Sequence, residues 1–161
     1  MDRAKAHYIV ATAIVMKEGK YLITKRSMDE KMMPGLWTVP GGKLELKDYI
    51  NRHKDTDQCW YNVVEQLVKR EVSEETGVNI GPIKYLTSLT YFRPDGIPTV
   101  CLSFYADHDS GAVRLSSELT DHAWVTLDEA RKFPLIPGIF EELEMLDEAL
   151  KGQKIKEWKK N

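Results

Sequence analysis

The sequence predicts an α/β (α+β) domain in which a mixed β-sheet is sandwiched between helices, and three observations point there. Short runs of β-branched and aromatic residues, bounded by Gly and Pro, occur in both halves of the chain. Two stretches with helical spacing stand apart from them, one between the strand runs and one after them. Strands, helix, strands, helix is the order that covers a sheet on both faces. At 161 residues the chain suits one domain with a sizeable core.

Residues 7–16 are rich in Ile, Val, Ala and Thr and read as a buried strand. Lys17-Glu18-Gly19-Lys20 is a turn in which Gly19 supplies the positive φ, and residues 21–25 return as the second strand of a hairpin. Residues 26–35 are polar, carry Met32, Met33 and Pro34, and read as a loop. Trp37-Thr38-Val39 is a short strand ended by Pro40-Gly41-Gly42. Residues 43–57 mix charges with Asp, Asn and His and read as a loop with a short helical piece at 49–52. A helix follows over 60–76, stopped by Gly77 at its C′ position. Residues 83–92 and 99–106 pair as strands across Arg93-Pro94-Asp95-Gly96, a strong turn signal. Residues 107–116 are turn-rich, 123–126 form a short strand around Trp124, and a short helix starts at Leu127. After Pro134 and Pro137, the spacing of Ile139, Phe140, Leu143, Leu146 and Leu150 predicts a C-terminal helix over 139–152.

The helix over 60–76 carries the chemistry. On a helical wheel Val63, Val64, Leu67, Val68 and Val72 share one half, while Glu65, Gln66, Lys69 and Ser73 lie on or beside the opposite face. Glu71, Glu74 and Glu75 do not join the polar face. With Glu71 as zero, Glu74 sits about 60° to one side and Glu75 about 40° to the other, so the three carboxylates continue the apolar stripe. They also stand in the last turns, where the macrodipole disfavours negative charge. Such a cluster either overhangs the edge of the protein, wet and paired with Arg70, or holds a divalent cation. The wheel favours a metal, and a hard cation such as Mg²⁺ meets oxygen ligands beside a phosphate.

Composition excludes several classes. Hydrophobic residues make up 42 % and charged residues 30 %, with a formal net charge of −2, which argues against a general nucleic-acid binder. The basic cluster Lys151, Lys154, Lys156, Lys159 and Lys160 reads as a solvated helix end. Cys59 and Cys101 have neither CxxC spacing nor a nearby His pair, so neither a zinc site nor a disulfide framework is expected. His7, His53, His108 and His122 are scattered and receive no role. No apolar run approaches membrane-spanning length, and Met1-Asp2-Arg3-Ala4-Lys5 is not followed by a signal-peptide core, so a cytoplasmic location is expected.

Gly42 and the run Arg70-Glu71-Val72-Ser73-Glu74-Glu75-Thr76-Gly77-Val78 resemble the Nudix box, G-x5-E-x7-R-E-U-x-E-E-x-G-U with U aliphatic. Every fixed position of the second half matches. Trp37-Thr38-Val39-Pro40-Gly41-Gly42-Lys43-Leu44-Glu45 looks like the lead-in W-x-x-P-G-G-x-x-E of the same family. One departure stands out: counting from Gly42 lands on Asp48 where the family has Glu. From Asp48 to Arg70 there are 21 intervening residues where the box has seven, an insertion of 14 residues at 49–62. The partner of Arg70 is therefore open among Asp48, Glu45 and Glu65.

The resemblance implies hydrolysis of a nucleoside diphosphate linked to another group, with Mg²⁺ or Mn²⁺ as cofactor. By carry-over Glu71, Glu74 and Glu75, with the carbonyl of Gly41, would bind the metal, and Arg70 completes the catalytic set. Divalent ions neutralise a polyanionic pyrophosphate and acidify a water. A loop acid ahead of the last short strand often joins, and Glu118 is the candidate, with Asp121 second. Arg26 is a candidate phosphate contact; Trp37, Tyr91 and Phe92 are candidates to stack on a base or simply to pack the core. The implied substrate is a small nucleotide, with no nucleic-acid or membrane partner and a homodimer left open. The leading expectation is a MutT-type hydrolase of nucleoside or deoxynucleoside triphosphates, oxidised ones included. ADP-ribose or another nucleoside-diphosphate sugar follows, on the strength of Pro94, and a non-catalytic nucleotide-binding regulatory module is the alternative of another class. The insertion is expected either as an inert excursion or as a flap, with Arg52 or Lys54 reaching a phosphate and Tyr49 or Trp60 packing it down.

Overall fold

The computed structural model describes residues 5–155 and 157–159. Met1 to Ala4 of the expected leaderless start, and Lys156 and Lys160 of the basic cluster, lie outside the described residues. Strand β1 (Tyr8–Lys17) turns through Glu18 and Gly19, both at positive φ, into β2 (Lys20–Arg26). The short strands β3 (Trp37–Thr38) and β4 (Gly41–Lys43) follow, then a single 3₁₀ turn at Leu46–Asp48. Helix α1 (Val63–Thr76) leads to β5 (Asn79–Ile80), β6 (Lys84–Phe92), β7 (Pro98–Ser110) and β8 (Leu119–Val125). The chain closes with α2 (Leu127–Ala130) and α3 (Ile139–Leu150).

These strands form one mixed sheet. β1 and β7 run parallel down its centre, while the other pairs, including β1–β2, β1–β4, β2–β8 and β6–β7, are antiparallel. Side chains alternate across a strand, so β1 feeds two cores. Ala11, Ala13 and Val15 pack with Leu67, Val68 and Val72 of α1, whereas Ile14 packs with Leu143 and Leu146 of α3. The helices therefore cover opposite faces, as the element order requires.

Several elements differ from expectation for physical reasons. α1 starts at Val63, not residue 60, because Asn62 takes a left-handed conformation (φ 56°) that interrupts a helix. Gly41–Lys43 is a strand although two of its three residues are poor strand formers; close approach to β1 requires them. β7 runs on to Ser110 because β5, too short to show in sequence, pairs with it. The helical turn precedes residues 49–52, at Leu46–Asp48, and β8 begins at Leu119 rather than 123. α3 ends at Leu150, so Lys154 and Lys159 lie beyond the helix, while Lys151 caps it and pairs with Asp147.

The insertion is a loop that closes on itself. The Tyr49 and Trp60 rings meet at 5.3 Å, and the Trp60 indole N–H donates to the Arg52 carbonyl at 3.0 Å. Arg52 reaches the Tyr61 carbonyl, Asp55 accepts from the Tyr61 N–H, and Lys54 lies over the Trp60 ring. In this structure Arg52 and Lys54 contact groups of the loop itself, with Arg52 Nη1 left without a partner, and Tyr49 and Trp60 close its neck. Pro94 sits in the β6–β7 turn, where Arg93 grips Asp95, which accounts for the proline without a ligand.

Candidate active site

The C-terminal half of α1 organises the site. A helix leaves its last carbonyls unpaired, and here the segment after β7 satisfies them. Arg114 N–H donates to Thr76 O at 2.8 Å and Ser116 N–H to Glu75 O at 2.9 Å. Two residues further on, the Glu118 carbonyl accepts from Ser27 N–H at 2.8 Å. That segment therefore ties the end of β2 to the end of α1, drawing Arg26 and Glu118 towards Glu75.

Opposite α1 stands the Gly-Gly strand. A Cβ on Gly42 would lie 2.2 Å from the Glu71 Cδ, and one on Gly41 would lie 2.3 Å from the Ala11 carbonyl oxygen. Only glycine fits both places. Gly41 N–H donates to Glu75 Oε2 at 3.0 Å. Ala13 N–H binds Pro40 O and Leu44 N–H binds Ile9 O, so Gly41 faces Thr12 at a position where its own N–H and C=O point away from β1. Its carbonyl is thereby aimed to the same side as the N–H that holds Glu75.

Arg70 gathers the acids. Its Nη1 donates to Glu74 at 2.6 Å, and its Nη2 donates to Glu71 at 2.6 Å and to Asp48 Oδ1 at 2.9 Å. Asp48, with a side chain only 5 % exposed, also accepts the Glu45 backbone N–H at 2.7 Å through its other oxygen. Asp48 is thus the partner of Arg70; Glu45 pairs with Lys47 and Glu65 is exposed on the first turn of α1. The inserted loop leaves this pair intact because its neck closes directly behind Asp48. Asp48→Asn should raise the divalent-ion concentration needed for half-maximal turnover by about 10-fold, the usual effect of an outer-sphere orienting group. Titrating the rate with Mg²⁺ checks this, with Glu45→Gln expected to behave as wild type.

Electrostatics single out Glu75. Burial pushes its carboxyl up to about 7; the Gly41 N–H opposes this, Glu71 and Glu118 add like-charge repulsion, and Arg26 lowers it. Burial likewise raises Glu71, against the pull of Arg70. Among the described residues no three carboxylates, imidazoles or thiolates converge as a ready-made cage, since Glu71 and Glu74 turn to Arg70 and Glu75 to Gly41. The donor set still fits Mg²⁺ or Mn²⁺. It is all oxygen, and Mg²⁺ takes one or two carboxylates, keeps waters and completes its shell with substrate phosphates. A buried carboxylate short of positive charge is what such an ion would relieve.

The remaining expectations sort by position. Glu118 is exposed and acts on Glu75 through its charge; Asp121 accepts the N–H of its neighbour His122. Arg26 donates to Glu30 and to the Met32 carbonyl, which ties its guanidinium to its own loop. Trp37 is corrected: 7 % exposed and edge-on to Phe133 at 4.8 Å, its ring belongs to the core and is closed to a base. Tyr91 is half-buried on the α3 face, and Phe92, the next residue on the strand, is exposed on the other.

The NUDIX domain model matches residues 6–146, and the chain belongs to the Nudix family. It is 32 % identical over 123 residues to a MutT-like protein of Streptomyces ambofaciens, covering 76 % of this chain and 66 % of that protein. It is 25 % identical to the nucleoside triphosphatase NudI of Klebsiella pneumoniae, covering 78 % of this chain and 86 % of NudI. Among solved structures, the MutT protein of Methanosarcina mazei Go1 superposes with a TM-score of 0.69 at 25 % identity, covering 91 % of this chain and 97 % of that one. The chain spans just under two thirds of the length of the MutT-like relative.

Proposed function

We propose that this protein is a Mg²⁺- or Mn²⁺-dependent pyrophosphohydrolase of a nucleoside or deoxynucleoside triphosphate, oxidised nucleotides included. The observation that carries the reading is Glu75, a buried carboxylate held on the Gly41 N–H beside Glu71. Glu71, Glu74, Glu75 and the Gly41 carbonyl would hold the ion, which supplies charge neutralisation at the phosphates and acidifies the attacking water. Arg70 and Asp48 keep Glu71 and Glu74 in place. Gly41 and Gly42 bring backbone, rather than side chains, up to the phosphates. Glu118, which adds to the charge felt by Glu75, would take the proton of the attacking water. The resemblance to the nucleoside triphosphatase NudI, covered over 86 % of its length, supports a triphosphate; the chain is also similar to NAD-capped RNA hydrolases NudC, of one of which it covers 39 %.

Screening nucleoside triphosphates and nucleoside-diphosphate sugars with Mg²⁺, and resolving the products, tests this. A triphosphate should give a monophosphate and pyrophosphate. Hydrolysis of ADP-ribose alone, or binding with no turnover of any nucleotide, would overturn it.

A further inference from the structure

We infer that the inserted loop is a clasp for the metal site: its Tyr49–Trp60 neck holds Asp48 against Arg70, which makes Tyr49 and Trp60 positioning residues for the carboxylates that receive the divalent ion. This rests on the metal reading of Glu71, Glu74 and Glu75 above and extends the site to residues that lie outside it.

The need for a clasp is one of chain length. Asp48 and Arg70 are 22 positions apart, yet they meet at 2.9 Å. Arg70 is fixed by its helix, because α1 packs Val64, Leu67 and Val68 into the core. Asp48 is not fixed in that way. Its 3₁₀ turn buries no residue, and Leu46 and Ile50 are both exposed. Among the described residues, no apolar side chain between Leu44 and Val64 belongs to either core. Chain entropy opposes holding one end of such a segment in place.

Contacts between the two legs of the loop replace the missing core. Tyr49, next to Asp48, meets Trp60, three residues before α1, with ring centroids 5.3 Å apart. The Trp60 indole N–H donates to the Arg52 carbonyl at 3.0 Å, and the Tyr61 N–H donates to the Asp55 carboxylate at 2.9 Å. At the tip the Asp55 and Thr56 N–H groups donate to the Cys59 carbonyl at 3.0 and 3.3 Å, and the Cys59 N–H returns a bond to the Thr56 hydroxyl at 3.1 Å. Asn62, at φ 56°, then turns the returning leg into α1. The path from Asp48 to α1 is thereby short-circuited through two rings, and the tip can be long without loosening Asp48.

Asp48 matters to the ion through Arg70. Arg70 Nη2 is shared between Asp48 and Glu71, and Nη1 holds Glu74. With Asp48 as a standing partner, the guanidinium keeps its charge balanced when Glu71 and Glu74 turn to a divalent ion. Without Asp48, Arg70 would depend on those two carboxylates alone and would release them less readily. An open neck therefore weakens metal binding although no residue of the neck is a ligand.

The test is Mn²⁺ binding to the substrate-free protein, read from the electron paramagnetic resonance of the free ion, beside thermal melts and Mg²⁺-dependent turnover. Trp60→Ala should raise the Mn²⁺ dissociation constant about 5-fold or more, with kcat at saturating Mg²⁺ changed less, the pattern of a group that orients ligands from outside the metal's own shell. Trp60→Phe keeps a ring for Tyr49 and should recover most of the affinity. In an Asp48→Asn background Trp60→Ala should add less than about 2-fold, because both changes remove the same constraint. If Trp60→Ala does not fold, Tyr49→Ala opens the neck from the other leg and should give the same loss. Asp57→Ala, at the exposed tip, should bind Mn²⁺ as wild type does. Unchanged Mn²⁺ affinity in both neck variants, or a loss that adds in full to that of Asp48→Asn, overturns the clasp alone. Absence of Mn²⁺ binding by wild type overturns the metal reading and the clasp with it. Trp60-dependent Mn²⁺ binding in a wild type that hydrolyses no nucleotide supports the clasp and overturns only the nucleotide reading.

Discussion

Glu75→Gln should lower kcat by at least about 100-fold with the fold preserved, the scale of losing a charge-stabilising group at a reacting centre. The two halves of the expectation have separate causes. Gln keeps an acceptor for the Gly41 N–H, so the contact between α1 and β4 survives. The substitution also removes like-charge repulsion with Glu71 and Glu118, and burial already disfavours the charged form. The melting temperature should therefore hold or rise while turnover collapses. Rates measured at saturating Mg²⁺ beside a thermal melt separate the two, and a variant with near-wild-type kcat would remove Glu75 from the machinery.

The two glycines of β4 should fail differently. In Gly42→Ala the new methyl meets the end of the Glu71 side chain at 2.2 Å, and that side chain can swing aside. The fold should survive, but Glu71 leaves its position against Arg70, and activity should fall by about 100-fold or more. In Gly41→Ala the methyl meets the backbone of β1, 2.3 Å from Ala11 O and 2.7 Å from Thr12 Cα. Backbone cannot swing aside, so β4 must shift. Stability should drop by about 1–3 kcal/mol, the usual cost of overpacking. Denaturant unfolding of both variants, read beside their activities, checks the contrast.

Much of this was legible because the signals were local. The helical wheel placed Glu71 and Glu75 on the inward side of α1 from spacing alone, but it placed Glu74 there too, and Glu74 is exposed and turned outward to Arg70; Gly41-Gly42 stood out as a place where side chains would obstruct. What escaped depended on long-range pairing. No local pattern indicates that residues 114–116 cap α1, yet that contact ties the segment carrying Glu118 to the end of α1, where Glu118 acts on Glu75 through its charge. Nor could spacing choose among Asp48, Glu45 and Glu65, because a loop closed by its own Tyr49–Trp60 contact restores a pairing that the insertion had displaced in sequence. Trp37 illustrates a different limit: a strand aromatic reads alike whether it packs a core or stacks on a ligand, and only Phe133 against it decides.

The most direct test of the central claim is hydrolysis of the best triphosphate substrate in ¹⁸O-labelled water, with Mg²⁺ and with the metal chelated. Water held beside Glu71, Glu75 and Glu118 should attack a phosphorus, so label should appear in the monophosphate or the pyrophosphate, and turnover should cease on chelation. Label confined to orthophosphate released from the γ position, or turnover unchanged without divalent metal, would contradict the account.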